Sequence, residues 1–467
     1  MSVPVGRAAG VLRVLVPVLL LLYAVTPSAQ SGPSAAWLAP YRGAAATLIA
    51  SATGDDAAWQ RLAELTDTFG PRLSGSDNQS RAITWAADAM KRDGLDRVRT
   101  EPVMVPHWIR GHEAAEITAP QRDTLTVLGL GDSVSTPAAG IEGEVLVVTS
   151  FDDLRRHATD ARGRIVLFNT PFMTYGETVA YRTGGARAAA VQGAIGVLVR
   201  AVGPMGLRTP HTGAVQYAQD VAPIPSAAIA GEDANRIVRM VARGQRVRVR
   251  LTLEGHFEAD AASANVVGEI LGRERPEEIV LLGGHLDSWD VGSGASDDAV
   301  GCVVTWEALR LMKKLGLRPR RTVRLVLFTN EENGLRGAAA YADHYAAQAR
   351  DHVFALESDS GVFLPAGLGF SGSEDAHAII RDIATLLAPL GLLEVRVGGG
   401  GADVGPIAMA GNAPTMAYLG DSEKYFQIHH TPADTVERIA PGDVSRAAAA
   451  IAVMAYVVAE MPQRLPK

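Results

Sequence analysis

From Ser263 onward, short apolar runs alternate with longer stretches whose apolar positions recur at helical spacing. The runs Ile279–Gly283, Thr322–Thr329, Val353–Glu357 and Pro414–Leu419 read as strands. The stretches Asp298–Leu315, Leu335–Gln348, Ala376–Leu390 and Ser445–Glu460 read as helices. Ile279–Gly283 is apolar throughout, not at every second position, so it is buried on both faces. That pattern belongs to a mostly parallel sheet with helices on each side. The expected fold class is therefore α/β: three layers around a mixed, mostly parallel sheet.

Upstream, Ala57–Phe69 and Gln79–Asp93 have helical spacing, and Gly70, Pro71 and Gly75 break the chain between them. Turn residues crowd Ala119–Gly140, and the pattern then becomes β-rich. Strands are expected at Glu144–Val148, Arg164–Phe168, Ile195–Val199, Ser226–Ile229 and Val247–Leu253. Helices are expected at Glu177–Gln192 and Gly231–Ala242. The division this suggests is a leader at 1–30, the first part of the main domain at 31–118, an inserted β-rich domain at 119–255 and a chemistry-bearing domain at 256–467.

Composition narrows the class. A chain of 467 residues exceeds one ordinary core, and 47% hydrophobic with 20% charged residues is globular. The net charge of −7 argues against nucleic acid or anionic lipid as a partner. Arg7 and Arg13 precede the apolar core Val14–Ala24, and Ser28 and Ala29 follow it. This is the form of a cleavable signal peptide, too short for a comfortable span of roughly 20 residues. A secreted or periplasmic protein without stable membrane association after cleavage is expected. Cys302 is the one cysteine, so stability rests on packing, and within Ala299–Trp306 it reads as a buried helix residue.

Candidate chemistry gathers where a parallel sheet gathers it, just past the carboxyl ends of strands. The first apolar strand ends in Gly284-His285-Leu286-Asp287, and the loop after it carries Ser296-Asp297-Asp298. Later ends carry Asn330-Glu331-Glu332, Glu357-Ser358-Asp359 and His429-His430-Thr431-Pro432-Ala433-Asp434. Imidazoles with carboxylates suit zinc, or less selectively cobalt or manganese. Two such ions, roughly 3.5–4 Å apart, are commonly bridged by a carboxylate and a water. A separate carboxylate must then take the water's proton, and the adjacent glutamates of "NEEN" are able to divide that labour. The run Gly398–Gly401 lacks the lysine of a phosphate loop and reads as a flexible loop at the cleft mouth, with Asp403 placed to hold a substrate ammonium.

The motifs "GGHLDSWDVGSGASDDAVG", "LFTNEENGLRG", "ESDSG" and "HHTPADT" resemble those of the co-catalytic zinc aminopeptidase family, in the family's order. The match extends over essentially the whole chain after the leader and is nearest to the carboxypeptidase Q branch. The segments "GRIVLFN", "GAIGVLV" and "IPSAAIAGEDANRI" resemble the protease-associated domain inserted in that branch. The resemblance implies a zinc-exopeptidase fold, two zinc ions per chain and hydrolysis of dipeptides or short peptides with a free N-terminus. It puts His285, Glu332, Asp359 and His430 on terminal ligands, Asp297 on the bridge, Glu331 on the general base and Asp287 on the carboxylate that orients His285. Asp298 and His429 are chemical twins of their neighbours; His429 stands where simpler members carry an oxyanion-stabilising tyrosine. Asp434 either supports His430 or caps a turn. His211 and Tyr175, in the inserted segment, receive no catalytic role. The expected partner is a peptide substrate, with a homodimer left open. A one-zinc glutaminyl cyclase and a non-catalytic receptor share the scaffold, but the complete ligand set favours a peptidase.

Overall fold

In the computed structural model, which describes residues 36–467, the apolar runs form the centre of an eight-stranded sheet. The leader expected at 1–30 lies outside the described residues. The strands of this sheet are β1 (Asp96–Val105), β2 (Ala261–Ile270), β3 (Arg275–His285), β4 (Arg321–Phe328), β5 (His352–Glu357), β6 (Gly367–Ser371), β7 (Val395–Val397) and β8 (Thr415–Leu419). Their spatial order is β1-β2-β4-β3-β5-β8-β6-β7. The central strands β4, β3, β5 and β8 run parallel, while β2 and β6 join on either side antiparallel. The α/β class with a mixed sheet is the one expected.

The pleat assigns each residue of the central strands to one of two cores. On β3, Val280 and Leu282 enter the larger core, while Ile279 and Leu281 enter the smaller. Val323, Leu325 and Leu327 of β4 join the first core; Val326 and Phe328 join the second. The helices Arg42–Thr53, Ala57–Phe69, Asp77–Arg92, Val300–Lys314 and Pro441–Glu460 cover the larger core, and Arg336–His344 and Gly405–Gly411 cover the smaller. Pro441–Glu460 is long and apolar enough to cross a membrane, yet 83% of its most apolar window is buried against its neighbours. It is a core helix.

A second eight-stranded sheet occupies the chain from Glu113 to Leu253. It begins at Glu113–Ala119, which pairs antiparallel with Arg248–Leu253, so its first strand precedes the turn-rich stretch. Its centre is the parallel set Ile141–Val148, Ile165–Phe168, Gly196–Arg200 and Ser226–Ile229. The helix Tyr175–Val191 crosses from Ile165–Phe168 to Gly196–Arg200, and Gly231–Ala242 leads from Ser226–Ile229 to the antiparallel strand Arg248–Leu253.

The glycine run departs from expectation. Gly398 and Gly399 donate backbone N–H groups to Phe370 O and Ser371 Oγ, each at 2.9 Å. A Cβ on Gly399 would meet the Gly369 backbone at 2.2 Å, and one on Gly401 the Glu357 carboxyl carbon at 2.1 Å. Gly399 packs backbone on backbone and Gly401 backbone on the Glu357 side chain, so the run is pinned. Asp403 behind it is fully buried, so it does not meet a substrate ammonium; its N–H donates to Glu357.

Candidate metal centre

Three strand ends, the loop after the first of them and one late turn deliver the predicted residues to one place. His285 is the last residue of β3, and its backbone continues into Leu286-Asp287. Its Nδ1 lies 2.9 Å from the Asp287 carbonyl oxygen. A carbonyl only accepts, so Nδ1 carries the proton and the Nε2 lone pair faces outward from the strand end. The expected orienting role of the Asp287 carboxylate is thereby corrected. That carboxylate stands 3.9 Å from Nδ1 and instead accepts the backbone N–H groups of Glu331 at 3.2 Å and Glu332 at 3.3 Å. It holds the glutamate loop, and the nearer backbone carbonyl holds the imidazole.

The glutamate pair follows β4. Asn330 takes a left-handed φ of 65°, a conformation asparagine tolerates better than most residues, and turns the chain so both glutamates reach the site. Glu332 is steered by the Trp289 N–H, which donates to Oε1 at 3.1 Å, leaving Oε2 3.1 Å from His430 Nε2. Glu331 sits nearer solvent, with Oε2 3.9 Å from His285 Nε2 and 21% of its side chain exposed.

Asp297 lies between two groups of donors. Its Oδ1 is 3.3 Å from His285 Nε2, and Asp359 Oδ1 lies 3.5 Å from that same nitrogen. Its Oδ2 is 3.1 Å from His430 Nε2 and 3.5 Å from His429 Nε2. The Asp297–Asp298 peptide bond is cis. Asp298 faces away: its carboxylate accepts the N–H groups of His285 at 3.0 Å and Gly301 at 3.2 Å, and it is fully buried. Among the described residues, the Asp434 carboxylate makes no hydrogen bond to His430. Its two oxygens accept from Ser296 N at 2.7 Å and Asp297 N at 3.1 Å, which fixes the loop carrying Asp297.

His430 Nδ1 lies 3.1 Å from the Thr212 carbonyl oxygen, which fixes its tautomer as Asp287 O fixes that of His285. Its ring stacks on His429 at 3.6 Å between centroids, 19° from parallel. His429 Nδ1 is buried without a hydrogen-bond partner among the described residues. Arg182, Thr212 and Tyr175 of the inserted segment meet this pair: Arg182 Nη1 lies 3.2 Å from His430 Nδ1, and the Tyr175 ring lies edge-on to His429 at 5.3 Å. Sequence reasoning gave Tyr175 no catalytic role and passed over Arg182 and Thr212, which no spacing or motif signals. Arg72 was also missed. It is fully buried and donates to the carbonyls of Gly70, Leu286, Ser293 and Gly294 at 2.7–3.1 Å, tying together the loops that carry Asp287 and Asp297. Cys302 is buried as expected, its thiol donating to His285 O.

The electrostatics are those of a cation site. Among the described residues, His285 Nε2, Asp297 Oδ2 and Asp359 Oδ1 are buried polar atoms without hydrogen-bond partners, at facing positions. His285, Asp297 and Asp359 offer mutually close ligand atoms, as do Asp297, His429 and His430. Burial opposes charge on the imidazoles, yet adjoining carboxylates push His285 well above its ordinary value and His430 up to about 10. Burial and like charge raise Glu331 well above the usual carboxylate range and Glu332 to about 7. Asp297 is also buried, but the imidazoles hold it well below that range. Four carboxylates around two imidazole lone pairs repel one another unless cations lie between them.

Oxygen and imidazole donors past the parallel strand ends of such a sheet make a candidate metal site, and the relatives of the chain place it among the zinc-dependent metallopeptidases. Residues 265–455 match Peptidase family M28, and the chain belongs to that family. Carboxypeptidase Q from Homo sapiens is 46% identical over 409 residues, 88% of this chain and 86% of that protein. The crystal structure of a peptidase M28 precursor from Shewanella amazonensis SB2B aligns with a TM-score of 0.87 at 34% identity, covering 92% of this chain and 98% of that one. A zinc aminopeptidase from Bacillus subtilis shares the fold, with a TM-score of 0.65 at 21% identity over 87% of this chain and 96% of its own.

Proposed function

We propose that this chain is an exported exopeptidase that holds two zinc ions and hydrolyses the N-terminal peptide bond of dipeptides or short peptides. The observation that carries the reading is Asp297, whose two oxygens face separate donor groups. His285 and Asp359 would hold one ion, Glu332 and His430 the other, with Asp297 between them. His430 is preferred to His429 because a ligating imidazole ordinarily donates its other N–H, as His430 does to Thr212, whereas His429 Nδ1 has no partner among the described residues. Asp297 is preferred to Asp298, whose oxygens are engaged by backbone N–H groups.

Zinc held by these residues would polarise the scissile carbonyl and lower the pKa of the attacking water. Glu331 takes the water's proton. Its loop is anchored through Asp287, its side chain reaches the open side of the site, and its raised proton affinity suits it to carry that proton to the leaving amine. His429 Nε2 lies on the Asp297 side of the cluster and serves as hydrogen-bond donor to the carbonyl oxygen as charge develops on it. Export rests on the basic and apolar leader, and the exopeptidase class on the relatives.

A cleavage panel tests the proposal: dipeptides, longer peptides and their N-acetylated forms, with and without chelator. Release of N-terminal residues from free dipeptides, abolished by chelation and by acetylation, is the expected result. Cleavage of acetylated peptides overturns the exopeptidase reading. Preference for longer peptides makes the chain a general aminopeptidase.

A further inference from the structure

Thr212 and His430 are 218 residues apart and exchange two hydrogen bonds. The Thr212 backbone N–H donates to His430 O at 3.0 Å, and His430 Nδ1–H donates to Thr212 O at 3.1 Å. Thr212 belongs to the inserted segment, and His430 to the turn after Ser422–Ile428. Arg182, on the helix Tyr175–Val191, reinforces the contact: Nη1 donates to Thr212 O at 3.3 Å, and Nη2 donates to Tyr175 Oη at 2.8 Å. Thr212 is fully buried and Arg182 is 6% exposed.

The arginine has one way to lie. Gly213 has a φ of +130°, and a Cβ there would stand 2.3 Å from Arg182 Cζ, so the guanidinium rests directly on the glycine backbone. The far side of Thr212 is fixed as well. Its Oγ1 donates to Gly129 O at 2.7 Å, and Arg110 donates to that oxygen at 2.6 Å and to Asp290 at 2.5 and 2.8 Å. Arg110 thereby joins the root of the inserted segment to the loop that follows His285.

We infer that Arg182 is a positioning residue for zinc at the His430–Glu332 side of the centre, so that seating of the inserted segment and occupancy of that one position are coupled. This rests on the two-zinc reading above. Thr212 O selects the His430 tautomer whose Nε2 lone pair faces Asp297 and Glu332. Arg182, donating to the same oxygen, keeps Thr212 O aimed at Nδ1. The His285–Asp359 side has no such dependence, because its imidazole is fixed by Asp287 O of its own strand end. Loss of a partner that orients a ligating histidine commonly costs 10–100-fold in metal affinity.

The test is zinc competition against a chromogenic chelator, using the full chain and the variants Arg182→Met, Arg182→Lys and Gly213→Ala, with melting curves to follow folding. Arg182→Met and Gly213→Ala should weaken one of two zinc equivalents by about 10–100-fold and leave the other unchanged. Arg182→Lys, which keeps the charge but loses the fork, should fall between them and the parent. Unchanged affinities for both equivalents overturn the inference, and so does parallel loss of both with the fold. A parent chain that holds fewer than two equivalents sinks the two-zinc reading instead, and this inference with it.

Discussion

Asp298 accepts the backbone N–H of His285 at 3.0 Å, so the residue beside Asp297 secures the strand end that presents the first imidazole. Asp297→Asn should therefore abolish binding of at least one zinc and reduce activity to background. Asp298→Asn should keep measurable zinc binding and destabilise the fold by about 1–3 kcal/mol, the cost of disturbing a buried hydrogen-bonded group. Metal analysis beside chemical denaturation separates the twins. Zinc lost from Asp298→Asn and retained by Asp297→Asn would exchange their roles.

Glu331→Gln should bind zinc as the parent does and turn over at least about 100-fold more slowly, the scale of a lost general base. The carboxamide preserves shape and keeps the backbone N–H that Asp287 accepts, so a change in metal content is not expected. Steady-state kinetics on a dipeptide decide it; full activity in this variant moves the base elsewhere.

Replacing Arg72 with Met leaves carbonyls of Gly70, Leu286, Ser293 and Gly294 without their shared donor inside the protein. A loss of at least about 3 kcal/mol is expected from such a buried network. The guanidinium is held below its ordinary pKa by burial, with nearby Cys302 and Asp434 acting in the opposite direction. Urea unfolding should show a lower midpoint at pH 7, and an unchanged midpoint removes Arg72 as the tie between the two loops.

His352 gives a pH dependence outside the metal site. It is fully buried, bonded through Nε2 to Tyr341 Oη at 2.9 Å, and burial with nearby Arg324 lowers its pKa to about 4 from 6.5. The fold holds it neutral while the unfolded chain takes up a proton below pH 6.5, so the unfolded state binds more protons between pH 6.5 and 4. Stability from this group is complete above that window and falls through it by at most about 3 kcal/mol. His352→Gln should flatten the slope of unfolding free energy against pH relative to the parent. Identical slopes would show that His352 does not drive it.

The sheet centre was legible because Ile279–Gly283 is apolar throughout and its parallel neighbours are mostly apolar, Arg324 being the polar residue inside β4. Strand β1 was not: it reads Asp-Arg-Val-Arg-Thr-Glu-Pro-Val-Met-Val, mostly charged at its start, since an edge strand needs only partial cover. The gathering of ligands at strand ends was equally legible, because parallel topology fixes where loops converge. Choosing between Asp297 and Asp298, or His430 and His429, depends on which backbone groups each side chain meets. Those partners lie elsewhere in the chain and leave no local pattern. Arg182 and Thr212 escaped notice for the same reason, and Asp403 was misjudged because nothing in a glycine run announces that it packs against Glu357.

The helix Pro441–Glu460 fills the layer beside Val300–Lys314 and Arg42–Thr53. A nascent chain that has emerged only as far as His430 holds every candidate ligand but lacks the helix around which the larger core closes. The ligands alone therefore do not make the site: Pro441–Glu460 must pack against β3 and β4 before their ends are held where they present His285 and the glutamate pair.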